Sequence, residues 1–319
     1  MQGGYHQPVL VEEVCAALAP PLTSGVGDRL LVDVTLGGGG HSAALLERLA
    51  PSRLIGLDRD PDAIAAATDR LSRHGARFHA IHAPFGELSG ALDHLGVTEV
   101  AGILADLGVS SHQLDTAARG FSFQADAPLD MRMDPTRGPS AAELLGTLDH
   151  RQLTTILREL GEEPDASRIA RAILHGRPQT TFQLVEIVTA AMSAPQRRTI
   201  GKRINPATRT FQALRIHVND ELGQLDRLLH DAPERLALGG RLAIITFHSL
   251  EDRAVKRRFA ELSRAPAPPP GVPIPAAALP QARFRVPDGY RHGQTPTQAE
   301  QDLNPRSRSS RLRVLERAA

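Results

Sequence analysis

Residues 30–60, LLVDVTLGGGGHSAALLERLAPSRLIGLDRD, constrain the fold more than any other stretch of the chain. An apolar, β-branched run at 30–34 meets four glycines, Gly37, Gly38, Gly39 and Gly40. A helical pattern starts at His41, and a second apolar run ends on Asp58. The order is strand, glycine turn, helix, strand, carboxylate. A backbone without side chains lets a bound nucleotide approach closely, and a helix N-terminus aims N–H groups at it. An acid about 20 residues after the glycines is placed to take a ribose diol.

The glycine turn alone does not choose the ligand. In the dinucleotide pattern G-x-G-x-x-G, Gly37 and Gly39 fit the first two positions, but Ser42 stands at the third. A phosphate loop needs a lysine after its glycines, and none follows here. Sites for S-adenosylmethionine (SAM) tolerate a looser loop, because they hold an amino acid and a nucleoside without phosphate. SAM, NAD and a plain tight turn therefore all stand on these residues alone.

The alternation continues downstream. Strands are expected at 30–34, 53–57, 77–81 and 102–105, with helices at 42–49, 61–74 and 87–95. An earlier helix fits 9–18, closed by Pro20 and Pro21, and Asp60-Pro61 is a good helix start. Such alternation gives a parallel α/β sheet covered on both faces. From 110 to 204 only helical stretches follow, at 149–160, 166–174 and 181–192. A helix over 211–229 and the strand RLAIITF (241–247) restore the pattern. The expectation is an all-helical domain (111–205) inserted between two parts of the α/β domain (1–110 and 206–319). The proline-rich stretch 265–281 should be an extended loop, and 283–286 and 311–315 two more strands.

Composition narrows the classes. A single cysteine, Cys15, excludes an internal disulfide and a cysteine-rich metal cluster, and it fits a reducing cytoplasm. No ligand cluster has spacing suited to a metal. The first residues lack a basic segment, and no apolar run approaches membrane-spanning length, so neither a signal peptide nor a membrane partner is expected. A net charge of +1 leaves nucleic-acid binding to the distribution of charge, and the absence of Trp argues against a large base-stacking platform.

Several residues stand out as candidates. Asp106 closes the fourth strand at the edge where ligands of open α/β sheets bind; it can hold cofactor, cap the next helix, or accept a hydrogen bond from an amine under attack. Phe85, just past the third strand, can stack on a base or pack as core. No acid lies between Glu186 and Asp220, where Arg197, Arg198, Lys202, Arg203, Arg209 and Arg215 fall, a run that favours a phosphate-bearing partner or forms a solvated face. A second basic cluster, NPRSRSSRLR, spans 304–313. The loop RGFSFQADAPLDMRMD (119–134), with Arg132 in it, has low periodicity and unusual composition, a mark of functional loops. In FHSLEDR (247–253), Ser249 with Asp252 reads as a capping box, while His248 is less easily explained as core.

Taken together, HQPVL (6–10), DVTLGGGGHS (33–42), GLDRDPDAI (56–64), LADLGVSSHQLD (104–115), the 119–134 loop, PATRTFQALRIHVNDEL (206–222), GGRLAIITFHSLEDRAVKRRF (239–259) and NPRSRSSRLRV (304–314) resemble the ribosomal RNA small subunit methyltransferase H family. The resemblance implies a SAM-dependent methyltransferase, with a Rossmann-like sheet and an inserted helical domain, that methylates N4 of one cytidine in the decoding centre of 16S rRNA. It places the cofactor on Gly39, Gly40, His41, Asp58, Phe85, Asp106 and Gln113. From the residues themselves, substrate contacts are expected at Arg132, Arg209, His248 and Ser249; the partner that the resemblance implies is 16S rRNA in the small ribosomal subunit. The oligomeric state is left open, a homodimer included. Asn205 stands where the family commonly has histidine, and His112 where it often has proline.

Overall fold

A computed structural model describes residues 8–23, 29–200, 205–265 and 281–319. His6, Lys202, Arg203 and nearly all of the proline-rich stretch 265–281 lie outside the described residues. The chain divides into two compact units, one formed by Met1–Gly108 with Gly223–Ala319, the other by Val109–Leu222.

The first unit opens with α1 (Val11–Thr23) and continues through β1 (Leu30–Asp33), α2 (Gly40–Arg48), β2 (Arg53–Asp58), α3 (Pro61–Leu71), β3 (Phe78–His82), α4 (Leu88–His94) and β4 (Val100–Asp106). Helix α1 does not stop at its prolines; Pro20 and Pro21 lie inside it. A proline at position 21 leaves the Ala17 carbonyl without its usual helical donor. Arg241 supplies one instead, its Nη1 donating to that carbonyl at 2.9 Å. Helix α3 starts as its sequence dictates: Asp60 accepts from the Asp62 N–H, and Pro61 takes the first turn.

The second unit is helical: α5 (Ser111–Asp115), α6 (Ala141–Thr147), α7 (His150–Gly161), α8 (Ala166–Gly176), α9 (Thr181–Ala191), α10 (Ala194–Ile200) and α11 (Thr208–Val218). No named strand falls here among the described residues. Leu153, Leu157, Ile169, Ile173, Leu184, Phe211 and Leu214 recur at helical spacing and build its core. Phe211 meets Phe123 edge to face, with centroids 5.3 Å apart. Because Phe211, Ala213 and Leu214 are part of this core, α11 belongs to the helical unit, and the chain returns to the first unit at Gly223 rather than at 206.

The expected helix over 211–229 is two helices, α11 and α12 (Glu221–Asp231), broken at Asn219 and Asp220. Asp220 adopts φ +49°, a left-handed conformation that ends the helix. The Asn219 side chain instead stitches the neighbouring loop. Its Nδ2 donates to the Met131 carbonyl, and its Oδ1 accepts from the Met133 N–H.

The first unit then resumes with β5 (Leu236–Thr246), α13 (Ser249–Leu262), β6 (Phe284–Arg285), α14 (Gln298–Leu303) and β7 (Arg311–Arg317). The described strands form a seven-stranded sheet in the order β3-β2-β1-β4-β5-β7-β6. Strands β1 to β5 pair in parallel, and β7 runs antiparallel to β5 and β6. Fully buried strand residues such as Leu31, Leu54, Leu104 and Ala243 fill the core, as expected for a sheet with both faces covered. The strand order reverses at β1, so β1 and β4 flank the switch point of a Rossmann-like α/β fold.

Candidate active site

Three neighbouring strands, β2, β1 and β4, each end on an aspartate: Asp58, Asp33 and Asp106. Because the strands are parallel, all three carboxyl groups stand at one edge, where the glycine turn also lies. Asp33 is buried and fastens the turn to the helix after it. Its Oδ1 accepts from the Thr35 N–H at 3.2 Å and its Oδ2 from the Ser42 hydroxyl at 2.7 Å. Asp58 holds the first glycine: Oδ2 accepts from the Gly37 N–H at 2.7 Å, and Oδ1 accepts from the Asp60 N–H at 2.8 Å. Each of these oxygens retains a lone pair for a further donor. Asp106 is placed by its own N–H, which donates to the Thr35 hydroxyl at 2.6 Å. Its Oδ1 is buried without a hydrogen-bond partner among the described residues, and its Oδ2 lies 3.5 Å from His41 Nδ1.

The glycines do different work. Gly37 has φ +49°, and a side chain there would meet nothing nearer than the Thr35 carbonyl at 4.0 Å, so its face is open to a ligand. Gly39, at φ +74°, is the N-cap of α2, and a Cβ there would press on Leu71 and Ala67 at 3.2–3.3 Å. At Gly40 a Cβ would meet Pro8 at 3.1 Å. Gly39 and Gly40 therefore let α2 pack closely; the Gly39 N–H closes the turn by donating to the Leu36 carbonyl at 2.8 Å.

Burial pushes the carboxyl groups of Asp58 and Asp106 up to about 6, and neighbouring Asp33 adds to both shifts. Burial raises Asp33 as well. The charges that shift these three groups are those of neighbouring acids and of His41. A buried cluster of acids favours a positively charged ligand and opposes a phosphate. Open glycine backbone, free lone pairs on Asp58 and an orphaned oxygen on Asp106 fit a nucleoside bearing a sulfonium and an ammonium. They do not fit a dinucleotide's pyrophosphate.

The remaining candidates in this unit flank that edge or fall further along the sheet. His41, in the first turn of α2, is buried, and its Nε2 is 2.7 Å from the Val9 carbonyl. Phe85 is half-buried and opens a one-turn 3-10 helix, Phe85–Glu87, shortly after β3. That turn is tied down at both ends: the Ala83 N–H donates to the Asp58 carbonyl, and the Gly86 N–H donates to Gln224 Oε1. The capping box of α13 uses His248 and Glu251, not Ser249 and Asp252. Glu251 Oε2 accepts from the N–H groups of Phe247 and His248. Asp252 is drawn away by a two-pronged pair with Arg313. Ser249 is exposed at the first helical position, and His248 Nε2 stands 3.0 Å from Glu251 Oε1.

In the helical unit, Gln113 is buried on α5 and completes a capping box with Ser110. Arg132 is gripped by Asp130 at 2.8 and 2.7 Å, and its Nη1 donates to the Gly138 carbonyl. Buried Arg119 donates to the carbonyls of Arg132 and Met133, so with Asn219 it holds the 119–134 loop in one shape. Arg209 is exposed on α11, and Arg197 and Arg198 are exposed on α10. Arg215 leaves the basic run, because Glu221 binds it at 2.8 and 2.9 Å. In the cluster at 304–313, Arg306 and Arg308 are exposed, whereas Arg313 is neutralised by Asp252.

Asp33, Thr35 and Glu251 belong to the site without having been singled out in the sequence. Asp33 and Thr35 had a signal, since they sit in DVTLGGGG immediately before the glycines. Glu251 had only its place three residues after His248.

The MraW methylase family matches the chain over residues 4–318. The ribosomal RNA small subunit methyltransferase H of Anaeromyxobacter sp. is 49% identical to it over 322 residues, spanning 99% of each chain. That of Nocardioides sp. is 46% identical over 323 residues, spanning 100% of this chain and 98% of the relative. That of Frankia casuarinae is 48% identical over 318 residues, spanning 98% of this chain and 96% of the relative.

Proposed function

The chain belongs to the MraW methylase family, and we propose that it transfers the methyl group of its cofactor, SAM, to N4 of a specific cytidine in the decoding centre of 16S rRNA. The observation that carries this reading is the edge where the strand-end carboxyl groups of Asp33, Asp58 and Asp106 meet a glycine turn whose Gly37 face is open. The names of full-length relatives support the RNA substrate.

SAM supplies a methyl group on a sulfonium, an electrophile that carries positive charge. The chain's own residues do the rest. Asp58 accepts from the ribose hydroxyls with the lone pairs left beside the Gly37 and Asp60 N–H groups. Gly40 and His41 present main-chain N–H groups at the start of α2, beside the turn that the Gly39 N–H closes on the Leu36 carbonyl, and Phe85 bounds the adenine. The target cytosine leaves its stack, because its amine is otherwise blocked by neighbours. An exocyclic amine on an aromatic ring has its lone pair delocalised. Asp106 Oδ1, by accepting one of its N–H groups, localises that pair and aims it. No strong base is needed before attack, since the nitrogen becomes acidic once alkylated. Alignment therefore supplies most of the acceleration, worth up to about 7–11 kcal/mol. In the helical unit Arg209 and the loop carrying Arg132 contact the RNA; in the first unit His248 and Ser249 do so.

The test incubates purified protein with methyl-labelled SAM and immature small subunits, then maps the label by mass spectrometry. One N4-methylated cytidine in 16S rRNA is expected. No label in the rRNA, or label on another base, refutes the reading. Calorimetry separates the cofactors, since heat with NAD and none with SAM overturns the site assignment.

A further inference from the structure

We infer that His41 is a positioning residue for Asp106: its ring, anchored on the Val9 carbonyl, shares one proton with the Asp106 carboxyl and keeps Oδ1 an open acceptor for the amine proton. The last clause rests on the methyl-transfer reading above; the pairing itself does not.

A carbonyl oxygen only accepts, so His41 Nε2, 2.7 Å from the Val9 carbonyl, must carry a proton and donate. A neutral ring then has its lone pair on Nδ1, which is the atom 3.5 Å from Asp106 Oδ2. Two lone-pair-bearing atoms face each other, and His41 is only 6% exposed. That arrangement is stable when one proton lies between them, on the ring or on the carboxyl. The distance is long for a hydrogen bond, as catalytic contacts often are before the ligand arrives.

The other charged groups around Asp106 point the same way. Asp33 of β1 and Glu251 of α13 both face it, and both are acids that disfavour its ionisation. The His41 ring is the group that opposes them. Asp33 is itself occupied by the Ser42 hydroxyl and the Thr35 N–H. The main-chain N–H of Asp106 goes to Thr35. The His41 ring is thus the neighbour that favours the Asp106 carboxylate against these acids, with buried Oδ1 available.

The proton balance is complete. Before reaction the pair holds an imidazolium and a carboxylate and is neutral overall. After methylation the substituted nitrogen is cationic. Its N–H bond breaks and an O–H bond forms at Oδ1, which leaves the base neutral and the pair at +1. That proton is released to solvent when the product leaves and water reaches the buried Oδ1.

The first test needs no substrate. Full-length protein labelled with 15N-histidine is titrated by NMR, the His41 ring signals being identified from His41→Gln or, should that variant not fold, by through-bond connectivity. The inference expects Nε2 to carry a proton throughout. It expects the Nδ1 signal to report the Asp106 carboxyl, so that its pH response differs in Asp106→Asn. A proton on Nδ1 with a bare Nε2, or an identical titration in Asp106→Asn, overturns it. The second test is kinetic. Loss of an opposing charge raises a carboxyl pKa by about 1 unit or more, so the acid limb of kcat moves to higher pH in His41→Gln. Activity is then lower by about tenfold on that limb and recovers at alkaline pH. Calorimetry expects SAM affinity to stay near that of the wild type, because His41 meets the cofactor through its main chain. An unmoved limb, or weakened SAM binding at unchanged kcat, overturns the proposal. Should the wild type methylate no rRNA, the methyl-transfer reading fails while the NMR titration still decides the pairing.

Discussion

Replacing Asp106 by Asn should make the ligand-free protein more stable at neutral pH while removing its activity. The carboxyl group is raised from 3.8 to about 6 by burial, with Asp33 and Glu251 adding to the shift against His41. A raised acid binds its proton more readily folded than unfolded. Stability is therefore fully present below pH 3.8, falls as pH rises through the window from 3.8 to about 6, and stays reduced above it. The full penalty is about 3 kcal/mol at pH 7.5 and about 1 kcal/mol at pH 4.5. Asn keeps the shape, its amide can donate to His41 Nδ1, and it carries no charge to bury. The expected gain at pH 7.5 is therefore up to about 3 kcal/mol, or roughly 6–12 °C in Tm for a unit of this size. Urea unfolding of wild type and variant at the two pH values, without SAM, measures it. A variant destabilised at pH 7.5, or one whose gain is equal at both pH values, refutes the electrostatic account of this edge.

Asp58→Ala should weaken SAM binding by about 1–3 kcal/mol, through lost charge-assisted hydrogen bonds and an untied Gly37 N–H. Calorimetry that returns wild-type affinity removes Asp58 from the ribose. Gly39→Ala forces an alanine to φ +74° against Leu71 and Ala67, which should cost about 1–2 kcal/mol of stability in urea. Unchanged stability would show that the turn relaxes freely. Arg209→Ala should weaken RNA binding most at low salt and lower the salt slope by about 1. An unchanged slope takes Arg209 off the list of phosphate contacts.

The α/β half was legible because its signals are local. Apolar β-branched runs, a glycine turn and Asp60-Pro61 each specify their own conformation, and the structure places β1, β2, β3 and β4 within a few residues of the expected bounds. What escaped the sequence depends on distant partners. Pro20 and Pro21 stay helical because Arg241, far along the chain, serves the Ala17 carbonyl. Asn219 breaks a helix in order to hold Met131 and Met133. The cap of α13 shifts to His248 and Glu251 because Asp252 is claimed by Arg313 on β7. The site followed the same division. Asp58 and the glycines were readable from spacing, and Asp106 from its place at a strand end. The part played by Asp33 emerged only when its bonds to Thr35 and Ser42 were seen. Arg132, an expected substrate contact, and Arg215, part of the basic run, are paired in the structure with Asp130 and Glu221, partners that the sequence pattern does not show.

A crystal structure with S-adenosylhomocysteine tests the central claim most directly. The account predicts ribose hydroxyls on Asp58, the nucleoside against the open face of Gly37, and the sulfur on the side of Asp106. A nucleoside bound elsewhere, or side chains filling the edge between β1 and β4, would contradict it.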